Sequence, residues 1–98
     1  MRTPVFIGDE VTAAGFRLAG VETWPVETGA EEPQLRRATE VADLILVTTA
    51  FAARVSEGLM RRLLAAVRPL LVVVEDARGE MPLPDVAARL RKQVGVGE

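Results

Sequence analysis

Cysteine is missing from this chain, and with it disulfides, thiolate metal sites and thiol nucleophiles; the redox compartment is left open. Histidine is missing too, which removes the commonest general base and the commonest metal ligand near neutral pH. No apolar run approaches the roughly 20 residues that cross a bilayer. No signal-peptide pattern opens the chain, so an intracellular protein, soluble by itself, is expected. The net charge of −2 gives no electrostatic reason to expect a nucleic-acid partner. Neither a G-x-G-x-x-G fingerprint nor a Walker A sequence occurs, and Asp9 and Glu10 would repel a phosphate placed after the first strand. No cofactor is expected.

What is present is an ordinary globular composition. The 98 residues are 49% hydrophobic and 27% charged, enough for one core and one domain. Eleven of the twelve basic residues are arginine, which we take as genome composition.

Residues 5–20 organise the rest. Val5, Phe6 and Ile7 favour a strand, Gly8 and two carboxylates follow, and the period then changes. Val11, Ala14, Gly15 and Leu18 fall at i, i+3, i+4 and i+7, one face of a helix. Asp9 is placed to cap that helix by accepting from the Thr12 N–H, and Gly20 to end it in the left-handed conformation. Gly15 lies on the inward face, where a missing side chain allows close approach to a sheet. A buried strand, a tight turn and a crossover helix open a parallel α/β sheet.

Residues 21–24 alternate as a half-buried strand does, and Pro25 marks an edge or an end. Pro33 suits the first position of a second helix, with acids before it at the positive end of the dipole. Leu35, Ala38 and Ala42 share its inner face, and Arg36 and Glu40 can pair outside. Residues 44–47 form an apolar strand ending at Thr48 and Thr49. Residues 50–67 are helical by period, with Val55, Leu59, Leu63 and Val67 in a stripe and Met60 and Leu64 beside it. Ser56 and Gly58 offer a break into a short turn and a capped longer helix. Pro69 stops this segment, and residues 70–74 read as a strand buried on both faces.

The chain therefore divides into an α/β core at 1–76, a Gly/Pro linker at 77–84, and a C-terminal helix and tail at 85–98. Four parallel strands with right-handed crossovers most simply take the order 2-1-3-4, a flavodoxin-like three-layer arrangement. The first helix then lies on one face, and the helices at 33–42 and 50–67 on the other. The C-terminal helix either covers the remaining half-face or swings out towards a partner.

Ligands in such sheets sit at the carboxyl ends of the strands where the order reverses, here between the first and third. That edge carries Asp9, Glu10, Thr48, Thr49, Glu75 and Asp76. The carboxylate pair resembles that of a phospho-accepting receiver domain with its Mg²⁺. A receiver, however, needs an aspartate where Thr48 and Thr49 stand, and a lysine after a late strand, whereas Lys92 is the only lysine. A helix cap and solvated acids are the simpler reading. Paired-carboxylate hydrolysis would need a deep cleft that a domain this small is not expected to build. Arg54, Arg61, Arg62 and Arg68 make either a solvated helix face or a patch for an acidic protein. Phe16 and Trp24 read as core or part-core before interface anchors. None of these groups argues for catalysis.

Gly8, Asp9, Glu10, Thr12, Gly15, Phe16 and Gly20, within Ile7-Gly8-Asp9-Glu10 and Gly15-Phe16-Arg17-Leu18-Ala19-Gly20, resemble the opening of the F-subunit family of the V-type rotary ATPases. Residues 42–48 and 68–74 are similar to that family's third and fourth strands. Val11 replaces its usual acid, and residues 75–78 replace its usual Pro-Ser turn. The resemblance implies a non-catalytic central-stalk rotor component. Such a component binds the coiled-coil D-type rotor protein inside the A/B catalytic hexamer, and it helps couple or regulate ATP turnover with ion transport. Its C-terminal helix is implied to be mobile and regulatory. On that basis Val86, Arg89, Leu90, Arg91 and Val94 are the expected partner contacts. The alternative is a receiver-like interaction domain without a phosphoacceptor.

Overall fold

Alternating β-favouring runs and amphipathic segments produce one open parallel sheet, seen in a computed structural model that describes residues 2–76. The order is β1 (Val5–Gly8), α1 (Glu10–Leu18), β2 (Glu22–Pro25), α2 (Glu31–Val41), β3 (Leu44–Thr48), α3 (Thr49–Ala52), α4 (Glu57–Ala65) and β4 (Leu70–Val74). The strands lie β2-β1-β3-β4, all parallel, as the crossover argument requires. The linker and C-terminal helix expected at 77–98 lie outside the described residues.

Period-two alternation divides the core between the two faces of the sheet. Val5, Ile7, Ile45, Val47 and Leu71 face α2, α3 and α4, packing with Leu35, Ala38, Phe51, Leu59 and Met60. Phe6, Leu46 and Val74 face α1, packing with Ala13, Phe16 and Val21. The rings of Phe6 and Phe16 stack with centroids 4.7 Å apart. Burying each contributes about 2–3 kcal/mol relative to an exposed ring. Gly20 has φ of +87°, which completes the turn from α1 into β2 as expected.

Local chemistry moves several elements from their expected places. The inner face of α1 is Thr12, Ala13, Gly15 and Phe16. Val11 and Leu18, expected inside, are 49% and 88% exposed. The cause is the cap: Thr12 turns inward because its hydroxyl donates to Asp9, and Phe16 follows one turn later onto Phe6. Helix α2 begins at Glu31, two residues before the expected start, so Pro33 occupies the third helical position, where its missing N–H is still harmless. Glu31 and Glu32 are thereby first-turn residues. Gln34 is buried, its Oε1 accepting from the Glu27 N–H at 3.1 Å and its Nε2 donating to the Pro25 carbonyl at 2.7 Å. The ion pairs among the described residues are Arg17–Glu10 and Arg37–Glu27, in place of the expected Arg36–Glu40.

The 50–67 segment breaks at Ser56, whose Oγ accepts from the Leu59 N–H at 3.3 Å. With α4 ending at Ala65, Val67 leaves the expected stripe and is 88% exposed. As an edge strand β4 is buried at Leu71 and Val74, while Leu70 is exposed, so burial on both faces is only partial.

Candidate functional site

Among the described residues, the fold leaves a concave region at the carboxyl edge of the sheet and another beside α4. The first is a cleft of about 530 Å³ at the β1/β3 reversal, bordered by Gly8, Asp9, Glu10, Thr48, Arg54 and Asp76. Strand order places Asp9, Glu10, Thr48 and Asp76 at this edge, and the fold brings them together with Arg54, which the sequence places in a helix-face patch. The polar atoms of Asp9, Glu10, Thr48 and Asp76, however, are engaged in structure. Asp9 is the N-cap of α1, its Oδ2 accepting from the Thr12 N–H at 2.9 Å and its Oδ1 from the Thr12 hydroxyl at 2.7 Å. The same hydroxyl lies 3.5 Å from Asp76 Oδ1, tying the end of β4 to α1.

Glu10 points outward and pairs with Arg17 at 3.1 Å, in a setting where an exposed ion pair contributes about 1 kcal/mol or less. Thr48 is buried, and its Oγ1 accepts from the Phe51 N–H at 3.2 Å, which caps α3. Thr49 is exposed at the start of that helix, and Glu75 is exposed beyond β4. The position a receiver would fill with its phosphoacceptor therefore holds a capping threonine. No group of three or more Asp, Glu, His or Cys side chains suited to a metal occurs among the described residues. The edge is built to hold helices in place.

The second region, of about 880 Å³, opens between α3 and α4 over the side of β4. Ala52, Val55, Met60, Leu64 and Val73 make its walls, with Arg61 and Glu57 among its lining polar residues. Periodicity alone does not reveal it, because a continuous helix over 50–67 leaves no such gap. The signal that points to it is Ser56, whose cap splits the segment. Arg54, Arg61, Arg62 and Arg68 are all exposed, and none is ion-paired among the described residues.

Among the other candidates, Phe16 is core, and Gly15 is buried on the sheet side of α1. Trp24 is half-buried against the α2 face, and its indole N–H donates to Glu22 at 3.0 Å. Gly8 is tightly enclosed, unlike Gly20, Gly29 and Gly58, which have open space where a side chain would stand. A Cβ there would lie 2.5 Å from Phe6 Cζ and 2.6 Å from Thr48 Cγ2. The expected partner contacts Val86, Arg89, Leu90, Arg91 and Val94 lie outside the described residues. No helix among the described residues is long and apolar enough to cross a membrane.

Compared with known proteins, residues 5–94 match the family model described as ATP synthase (F/14-kDa) subunit. No curated protein matches the chain.

Proposed function

This chain belongs to the ATP synthase (F/14-kDa) subunit family, and from that premise we propose that it is the central-stalk member of a V-type rotary ATPase or ATP synthase. In this reading it has no catalytic step of its own. It binds the coiled-coil rotor protein of the stalk, turns with it inside the A/B catalytic hexamer, and helps couple or regulate ATP turnover with ion transport. Its place is peripheral, on the cytoplasmic side of the membrane.

The observation that carries the reading is the extent of the family match, which runs from β1 to residue 94 and so includes the C-terminal stretch. The carboxyl-edge polar groups support it from another direction, since Asp9 and Thr48 act as helix caps. A rotor component needs a rigid body and surfaces for contact, and needs no pocket for chemistry. Val86, Leu90 and Val94 would present one apolar contact stripe, with Arg89 and Arg91 at its rim.

The test is an affinity tag on this chain in its native cells, followed by purification of whatever assembles with it. The coiled-coil rotor protein and the A/B hexamer are expected in the eluate, and Leu90→Asp is expected to reduce their yield. Recovery of the tagged chain without either would contradict the stalk assignment.

A further inference from the structure

We propose that β4 pairs edge to edge with β4 of a second copy of this chain, antiparallel about a two-fold axis at Val72. The proposal concerns the free chain and goes beyond the stalk reading without resting on it.

The ladder decides which groups this edge offers. The Leu70 N–H donates to the Asp43 carbonyl at 2.9 Å, and Leu70 is in register with Leu44. In a parallel pair, alternate residues turn both main-chain groups towards the same neighbour. Leu70, Val72 and Val74 therefore bond to β3, whereas Leu71 and Val73 turn their N–H and C=O groups outward. No strand takes them among the described residues, because β4 is the last strand of the sheet.

The opposite edge is protected by comparison. The Glu22 N–H donates to the Pro4 carbonyl at 2.9 Å, so Thr23 and Pro25 are the outward residues of β2. Pro25 has no N–H to offer, and the Arg17 guanidinium sits over this edge, donating to the Thr23 hydroxyl at 3.0 Å. Proline and charge are what keep edge strands from pairing. Residues 70–74, Leu-Leu-Val-Val-Val, contain neither.

The flanks of β4 select the occupant. Antiparallel pairing about Val72 sets Leu71 against Val73 of the second copy, and Val73 against Leu71 of the second copy. Each of these pairs exchanges both its hydrogen bonds, so every outward group is satisfied. In the same register Val72 meets Val72 and Leu70 meets Val74, and all these contacts are aliphatic. Beyond them Pro69 lies opposite Glu75, and Arg68 opposite Asp76. The basic start of each strand thus meets the acidic end of the other, once on either side of the axis. Arg68 and Glu75 are both exposed. A foreign strand would satisfy the hydrogen bonds but has no such match built into both flanks. Because β2 then forms both outer edges of the joined sheet, association closes at two chains.

Pairing through one short strand belongs to the weak class of interfaces, so the experiment compares the full chain from about 5 to 500 micromolar. Sedimentation velocity is expected to show a reversible monomer–dimer equilibrium. Amide exchange at Leu71 and Val73 should slow as concentration rises, while Leu70 and Val72 stay protected throughout. Arg68→Glu should weaken the dimer by roughly tenfold, and Arg68→Glu/Glu75→Arg should recover most of that loss. Both positions are exposed, and circular dichroism verifies folding.

A chain that stays monomeric throughout, as when its own residues beyond 76 take the edge, would overturn the proposal. Dimers whose Leu71 and Val73 amides exchange at the monomer's rate would place the contact elsewhere and overturn it too. Growth beyond two chains would do the same. None of these results touches the stalk reading, which is tested by what assembles with the tagged chain.

Discussion

Glu32 and Ser56, 24 residues apart, are joined by a 2.8 Å hydrogen bond from the Ser56 backbone N–H to Glu32 Oε2. The contact links the first turn of α2 to the residue that caps α4. The Ser56 amide, and after it the Ser56 hydroxyl and the Arg36 guanidinium, hold the Glu32 carboxyl below its ordinary value of 4.5.

A pH prediction comes from that shift. Because the folded value is depressed, the stabilisation is complete above the unfolded value and is lost as pH falls through the folded one. Glu32→Gln should therefore reduce stability modestly at pH 7 and flatten the acid limb of a stability curve below about 4.5. Urea unfolding of both proteins across that range is the measurement. Parallel curves for the two proteins would show that the contact has no pH-linked role.

Gly8 sits where β1 ends against two immobile neighbours. The Phe6 ring is fully buried and stacked on Phe16, and Thr48 is buried and engaged in capping α3. A methyl group inserted 2.5–2.6 Å from both cannot be accommodated by rotating either side chain away. Gly8→Ala should cost about 1–3 kcal/mol, the usual penalty for overpacking. Thermal unfolding reads the result directly, and an unchanged midpoint would refute the packing argument.

Asp9 separates the two readings of the carboxyl edge. As a cap, it tolerates Asp9→Asn with little loss, because an amide oxygen still accepts from the Thr12 N–H; Asp9→Ala should cost about 1 kcal/mol. As a cation ligand, it would make the unchanged protein melt higher in millimolar Mg²⁺. We expect the first pattern and no Mg²⁺-dependent shift in the melting temperature.

The strand order and layering of the sheet were legible in the sequence because strand runs and Gly/Pro punctuation report backbone preferences directly. Residues 5–7, 44–47 and 70–74 sit within the strands that form, and the 2-1-3-4 order follows from crossover handedness. Helix faces were harder, because hydrophobicity is an imperfect marker of burial. Thr12 is polar yet fully buried, since its hydroxyl has a partner in Asp9; Leu18 is apolar yet outside, since α1 ends beside it. Glu31 presents the same difficulty. It is buried at the start of α2, with Oε1 accepting from the Gly29 N–H at 3.1 Å and Oε2 without a hydrogen-bond partner among the described residues. The positive end of the helix dipole favours a carboxylate there, an effect no hydrophobic pattern records. Of the candidate sites, the acidic edge was visible from topology, whereas the α3/α4 groove depended on a single serine cap.

The central claim is that this fold is a rotor component that works by contact, and direct titration against the coiled-coil rotor protein tests it most simply. Trp24 is the only tryptophan in this chain, which allows its fluorescence to follow the titration if the coiled coil lacks one, with size exclusion giving the stoichiometry. The account predicts a stable one-to-one complex. No association at concentrations on the order of tens of micromolar, a free energy weaker than about 6–7 kcal/mol, would contradict it.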